Sequence, residues 1–221
     1  MPSSPQLSLL YLVSPALPIG AFAYSQGLAA AIEQGWVRDA AGLEQWLAGV
    51  LEHGLTRLDL PALLRLMEAA ATGDAAGLAR WNARVLAARE TAELVLEETQ
   101  LGKSLHRLLR DQDLLPPMAL PENPGYVALF ALAAHALGIG PREACSGLAW
   151  SWLENQVAVA GKAIPLGQTA AQRVLLAMLP RIERAVALAR TLEDHEMGGA
   201  LPGLALASSL HETQYSRLFR S

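Results

Sequence analysis

With 221 residues, 52% of them hydrophobic and 17% charged, the chain can bury a core without disulfide or metal staples, and it fits one large domain or at most two small ones. A net charge of −4 carries no signal for nucleic-acid binding. The single cysteine, Cys145, excludes an intrachain disulfide and suits a reducing cytoplasm, and one cysteine with five scattered histidines does not make a closed zinc site.

The stretch LSLLYLVSPALPIGAFAYS (7–25) has the look of a secretion signal, with an A-x-A at Ala21–Ala23. No Lys or Arg precedes it, and Pro15 and Pro18 interrupt it, so a buried segment is expected instead. Within it, SPALPIGAF (14–22) reads as a rigid turn between helices. AYSQG (23–27) has the small-x-Ser-x-small form of a nucleophile elbow, and Asp194 and His211 follow in hydrolase order. That elbow needs a strand before the serine. Here a turn precedes it and a helical pattern follows, so a serine hydrolase built on Ser25, Asp194 and His211 is the disfavoured alternative. The polar-aromatic pair Tyr24 and Ser25 then lacks a structural explanation.

DAAGLEQWLAGVLEH (39–53) places Leu43, Trp46, Leu47, Val50 and Leu51 on one helical stripe, with Asp39 as its cap. The next helix starts near Asp59, tolerates Pro61 in its first turn and runs to about Ala71; TGD (72–74) breaks it. A long pattern from Ala75 to Arg110 carries one stripe on Leu78, Trp81 and Val85 and another on Leu94, Leu101, Leu105 and Leu108, with a bend or break near Glu90. Inside it, GKS (102–104) resembles the end of a P-loop. Glu97 stands where the motif's first glycine belongs, so nucleotide binding is rejected. DQDLLPPMALPENPG (111–125) is a proline-rich connector. Helices then cover about 125–137 and 141–161, the second with a stripe on Cys145, Leu148, Ala149, Trp152, Leu153 and Val157. YVALFALAAHALGIG (126–140) falls short of the ~20 residues that span a bilayer and reads as a core helix.

IPLGQTAAQ (164–172) reads as a turn followed by a T-x-x-Q capping box, Thr169 and Gln172, opening the last helix. Pro180 is expected to kink or split that helix before it ends near Leu192. The box leaves Gln168 unexplained, as well as Lys162, one of only two lysines beside Lys103. With no alternating strand pattern, the fold class is all-α. The expectation is a single compact helical domain of about eight to ten helices over 1–192, with a flexible tail over 193–221.

The tail pairs a soft leader, GGALPGLALASS (198–209), with a dense peptide, HETQYSRLFRS (211–221). HEMGG (195–199) and HETQY (211–215) each lack the second histidine of a zinc-protease motif. A disordered segment that folds on binding can wrap a partner. Tyr215 and Phe219 offer aromatic area, and Arg217 and Arg220 offer forked donors. The competing reading folds the tail back on its own domain with Leu218 and Phe219 in a groove. His211 has no companion ligands nearby in sequence, so its expected role is a hydrogen bond that orients the tail, not metal binding.

SPALPIGAFAYSQGLAAAIEQGWV, EETQLGKSL, IPLGQTAAQR and HETQYSRLFRS together, in that order, resemble the urease accessory protein UreF family across nearly the whole chain. Ala23, Ile164 and Ala171 are small departures from the family pattern. The resemblance implies an all-α cytoplasmic accessory protein with no catalysis, cofactor or metal site of its own. It implies binding to a second accessory protein, UreD (also called UreH), recruitment of the GTPase UreG, and docking on apo-urease as a homodimer, for GTP-coupled nickel insertion. Candidate partner-binding residues are Tyr24, Ser25, Lys162, Gln168, His211, Gln214, Tyr215, Arg217, Leu218, Phe219 and Arg220. A helical adaptor for another GTPase system is the remaining alternative. No nucleic-acid or membrane partner is expected.

Overall fold

Capping and breaking residues set the helix bounds in the computed structural model, which describes residues 4–221. Helix α1 (Pro5–Leu12) has proline in its first turn, and α2 (Leu28–Glu33) follows Gly27. The Asp39 carboxylate accepts from Gly42 N at 2.9 Å to start α3 (Ala40–Val50). A π-helical turn, Leu51–Leu55, leads to α4 (Asp59–Thr72), which ends on Gly73 at φ 68°. Asp74 caps α5 (Ala75–Ala87) and Thr91 caps α6 (Ala92–Asp111). Each cap satisfies an amide that the helix leaves without an internal partner. The long 75–110 pattern thus breaks at 88–91, where the stripes change.

Helices α7 (Tyr126–Ala136) and α8 (Pro141–Ala163) follow the connector, and α9 (Gln168–Ala189) and α10 (Pro202–Glu212) complete ten α-helices with no strand among the described residues. Helix α7 is apolar all round and buried from Val127 to Ala134, as a central helix must be. It packs against α4, α5, α6 and α8, and α8 and α3 pack on α9. Leu12, Val13, Leu17 and Ile19 of the signal-like stretch join this core, while Leu7 and Leu10 stay exposed. No helix of the described residues is long and apolar enough to cross a membrane.

Three local expectations need correction. The T-x-x-Q box does not form, because Gly167 takes the extended cap conformation and starts α9 at Gln168. Thr169 is then the second helical residue and has no cap bond. Of the kink or split expected at Pro180, the split does not occur: α9 runs through it as one helix. Most consequential, the supposedly soft leader holds most of α10, which runs on into the terminal peptide, and of the two readings of the tail the structure has the one that folds it back on the domain. Gly198 (φ 106°) and Gly199 (φ 149°) make the turn into α10. Its small residues serve close packing: a Cβ on Gly27 would lie 3.2 Å from Ala207 Cβ and 3.1 Å from Ser208 N.

The EETQLGKSL segment also has a packing explanation. A Cβ on Gly102 would lie 2.3 Å from Pro124 O, so only glycine lets α6 meet the connector there. Glu98 Oε1 accepts from Val127 N at 2.8 Å and caps the start of α7. Arg89 lies between Asp59 and Glu98, 2.7 Å from the latter. Burial opposes the guanidinium's charge, but the two carboxylates outweigh it and hold Arg89 above its ordinary pKa.

Candidate functional site: the seat of the C-terminal segment

One face at the start of α6 holds the C-terminal segment at successive points. Glu90 Oε2 accepts from Leu201 N at 3.1 Å, at the start of α10. Thr91 Oγ1 and Ser208 Oγ share a hydrogen bond of 2.7 Å. Glu93 meets His211 Nδ1 at 2.8 Å through Oε2 and accepts from Arg217 Nη1 at 3.0 Å through Oε1. Arg217 also donates to the Glu212 carbonyl. One helical turn further on, Glu97 Oε2 accepts from Ser221 Oγ at 2.8 Å. Glu93 and Glu97, at i and i+4 on α6, lie on one helical face, and Glu90 and Thr91 reach the segment from the turn just before the helix.

The AYSQG turn closes the other side. Ala23 O accepts from Arg220 N at 2.8 Å, and Ser25 N donates to Ser221 O at 2.9 Å. Ser25 Oγ donates to the same oxygen. Gln26 sits at φ 51°, a conformation that favours glycine. Its side chain compensates by bonding at both ends: Nε2 donates to Glu97 Oε1 at 2.7 Å, and Oε1 accepts from Trp152 Nε1 at 2.8 Å. Asn155 Nδ2 donates to Tyr24 O at 3.1 Å. Tyr24 and Ser25, expected at a partner surface, are therefore buried in this conformation and serve the seat from inside.

Glu97 is enclosed by these groups and lines a cavity of about 230 Å³ with Gln26, Tyr126 and Trp152. Burial pushes its carboxyl up to about 7, against the pull of the Gln26 and Ser221 hydrogen bonds and the Arg89 charge. The imidazole of His211 is fully buried, and its Nε2 has no hydrogen-bond partner among the described residues; neither has Gln214 Oε1. No group of three or more His, Cys, Asp or Glu among the described residues could hold a metal ion.

The remaining candidates divide by exposure. Tyr215 is fully exposed, and Leu218 and Arg220 face outward, while Phe219 is buried against the core. Lys162, in the last turn of α8, is exposed and stands 5.7 Å from the centre of the Phe219 ring. Gln168 is exposed at the start of α9 and makes no side-chain hydrogen bond among the described residues. The hydrolase alternative is not assembled: Ser25 bonds Ser221, His211 bonds Glu93, and Asp194 pairs with Arg65 at 3.0 Å.

Glu93, Thr91 and Gln26 do not stand out in the sequence as seat residues, and Glu97 enters there only as the residue that breaks the P-loop pattern. A signal existed. Leu96 is half exposed while Glu93, Glu97 and Glu98 around it are buried. Acidic residues at i, i+4 and i+5 beside an apolar stripe are the pattern to look for.

A family model described as UreF matches residues 37–179. The urease accessory protein UreF of Chromohalobacter salexigens is 59% identical over 214 residues, which covers 96% of this chain and 93% of that protein. Its counterpart in Marinobacter nauticus is 56% identical over 216 residues, covering 97% of this chain and 94% of that protein. The chain belongs to the UreF family. A third member, from Psychrobacter cryohalolentis, is 56% identical over 220 residues, again covering 97% and 94%. The segment matched to the UreF model contains Glu93, Glu97, Lys162 and Gln168; the AYSQG turn and the C-terminal segment lie outside it. In this UreF-family fold the seat thus joins the matched helices to both flanking segments.

Proposed function

We propose that this UreF-family protein is a non-catalytic urease maturation factor of the cytoplasm. With UreD it recruits the GTPase UreG to apo-urease, acts as a homodimer in that complex, and modulates GTP hydrolysis for nickel insertion. The observation that carries the reading is identity of 56–59% over nearly the whole chain with proteins named urease accessory protein UreF. The seat supports it physically. Buried carboxylates fix the C-terminal peptide, while Tyr215, Leu218 and Arg220 remain free to meet a partner. Aromatic and arginine side chains on a rigid support make strong anchors. Lys162 and Gln168 form the second candidate surface, facing the GTPase.

The test is complementation. Cells carrying apo-urease, UreD and UreG but lacking this protein should gain urease activity when it is supplied, and it should co-purify with UreD and UreG. Restored binding to some other GTPase with no urease activation would favour the adaptor alternative. Ester hydrolysis that depends on Ser25 would overturn the non-catalytic reading.

A further inference from the structure

Lys162 and Phe219 are 57 positions apart in sequence, yet the ammonium lies 5.7 Å from the ring centre. A cation within about 6 Å of an aromatic centroid is drawn to the ring face. None of the salt bridges among the described residues includes Lys162. The ring is therefore the contact that selects one position for an otherwise mobile four-carbon side chain.

The ring itself is held. Backbone bonds at the next two residues, Arg220 N to Ala23 O at 2.8 Å and Ser25 N to Ser221 O at 2.9 Å, fix the chain just beyond it. Glu97 holds Ser221 at 2.8 Å, and Phe219 is 6% exposed. Two residues before it, Arg217 is tied to Glu93. A rigid, anchored aromatic ring under a free lysine makes the lysine's position depend on whether the C-terminal segment is seated.

We propose that Phe219 is a positioning residue for Lys162, so that seating of the C-terminal peptide sets the cation presented beside the start of α9. This rests on the reading that Lys162 faces the GTPase partner. It adds that the two candidate surfaces are physically coupled: an event at the peptide that shifts Phe219 releases Lys162, and a partner that fixes Lys162 favours the seated peptide. Such reciprocity is required of any coupling between binding sites.

The chain's two lysines make a direct test possible. Reductive methylation with a 13C label keeps the charge and gives one side-chain signal from each, assigned with Lys103→Arg. In the full-length protein the Lys162 methyl signal should lie upfield of exposed Lys103, through the ring current of Phe219. Phe219→Leu should return it to the Lys103 position. Glu93→Ala, which loosens the segment and keeps the ring, should move it the same way. A Lys162 signal that coincides with Lys103 in the unmutated protein, or that ignores both substitutions, overturns the proposal. Urease activation reports on the underlying reading separately. If the signals move as described but Lys162→Ala activates urease normally, the coupling stands and the role of Lys162 at the GTPase falls. If Lys162→Ala loses activation, Lys162→Arg should restore it and Phe219→Leu should share the loss.

Discussion

Glu93 and Glu97 share a helix face but differ in physical role. Glu93 pairs two basic side chains, and its removal leaves His211 buried with no partner at either ring nitrogen. Glu93→Ala should cost about 2–4 kcal/mol, the range for hydrogen bonds to a charged group plus an uncompensated buried polar atom. Thermal melts should show a drop of roughly 2–4 °C per kcal/mol for a chain of this size. A loss below about 0.5 kcal/mol, the scale of ordinary surface changes, would remove Glu93 from the seat. Glu97 controls pH dependence. Its carboxyl is raised from 4.5 to about 7 by burial, so between those values the folded state binds more protons than the unfolded chain. Stability from this group is complete below about 4.5 and declines as pH rises through about 7. Glu97→Gln, which stays neutral, should remove that decline. Denaturant melts at pH 5 and pH 8 on both proteins check it; an identical pH difference in the two would show that Glu97 does not contribute.

Helix α6 is an acceptor rail on one face and a close-packing surface on another, and the two are set by different residues. Gly102 permits the approach of Pro124 O, so Gly102→Ala forces backbone against a methyl group. The expected cost is about 1–3 kcal/mol, as for overpacking elsewhere, read by chemical denaturation; unchanged stability would mean the connector moves freely. The same helix explains what could be read in the sequence. The stripes, the Asp39 cap and the break before α6 depend on neighbours within a few residues, so periodicity and local cap chemistry reach them, while the Asp74 and Thr91 caps emerge only in the structure. Helix α10 was missed because Gly, Ala and Ser were read as softness. Their packing value appears only when Gly27 lies opposite Ala207. The seat was half legible. The sequence singles out HETQYSRLFRS as a partner-binding peptide and leaves Tyr24 and Ser25 of the turn AYSQG without an explanation, but the peptide's partners, Glu93 and Glu97, lie more than 100 residues from it, and Glu97 alone also holds Gln26 of the turn. Thr169 was assigned to a cap by local spacing alone, and a glycine two positions earlier started the helix first.

At the scale of the whole molecule, the C-terminal segment has an inner face that stabilises the domain and an outer face that does not. His211, Phe219 and Ser221 are buried, and Tyr215 and Leu218 are among the most exposed large apolar side chains. Removing the whole peptide confounds the two faces. Truncation after Ser209 should leave most of the helical circular dichroism, since α1 to α9 remain, but it also deletes the partners of Glu93 and Glu97. A lost interaction with UreD would then have two explanations. Substituting the outer face separates them. Tyr215→Ala with Leu218→Ala removes no internal hydrogen bond and little buried area, so stability should stay within about 0.5 kcal/mol of the parent. If these side chains are central anchors for a partner, each truncation costs about 2 kcal/mol or more in binding. At 1.4 kcal/mol per factor of ten, each single variant should weaken UreD capture by about 30-fold and, with additive costs, the double variant by about 700-fold. Calorimetric titration with UreD beside a thermal melt gives both quantities on one sample. Binding within about threefold of the parent, in a protein that melts normally, would show that the outward-facing residues are not the anchors and would move the UreD contact elsewhere on the surface.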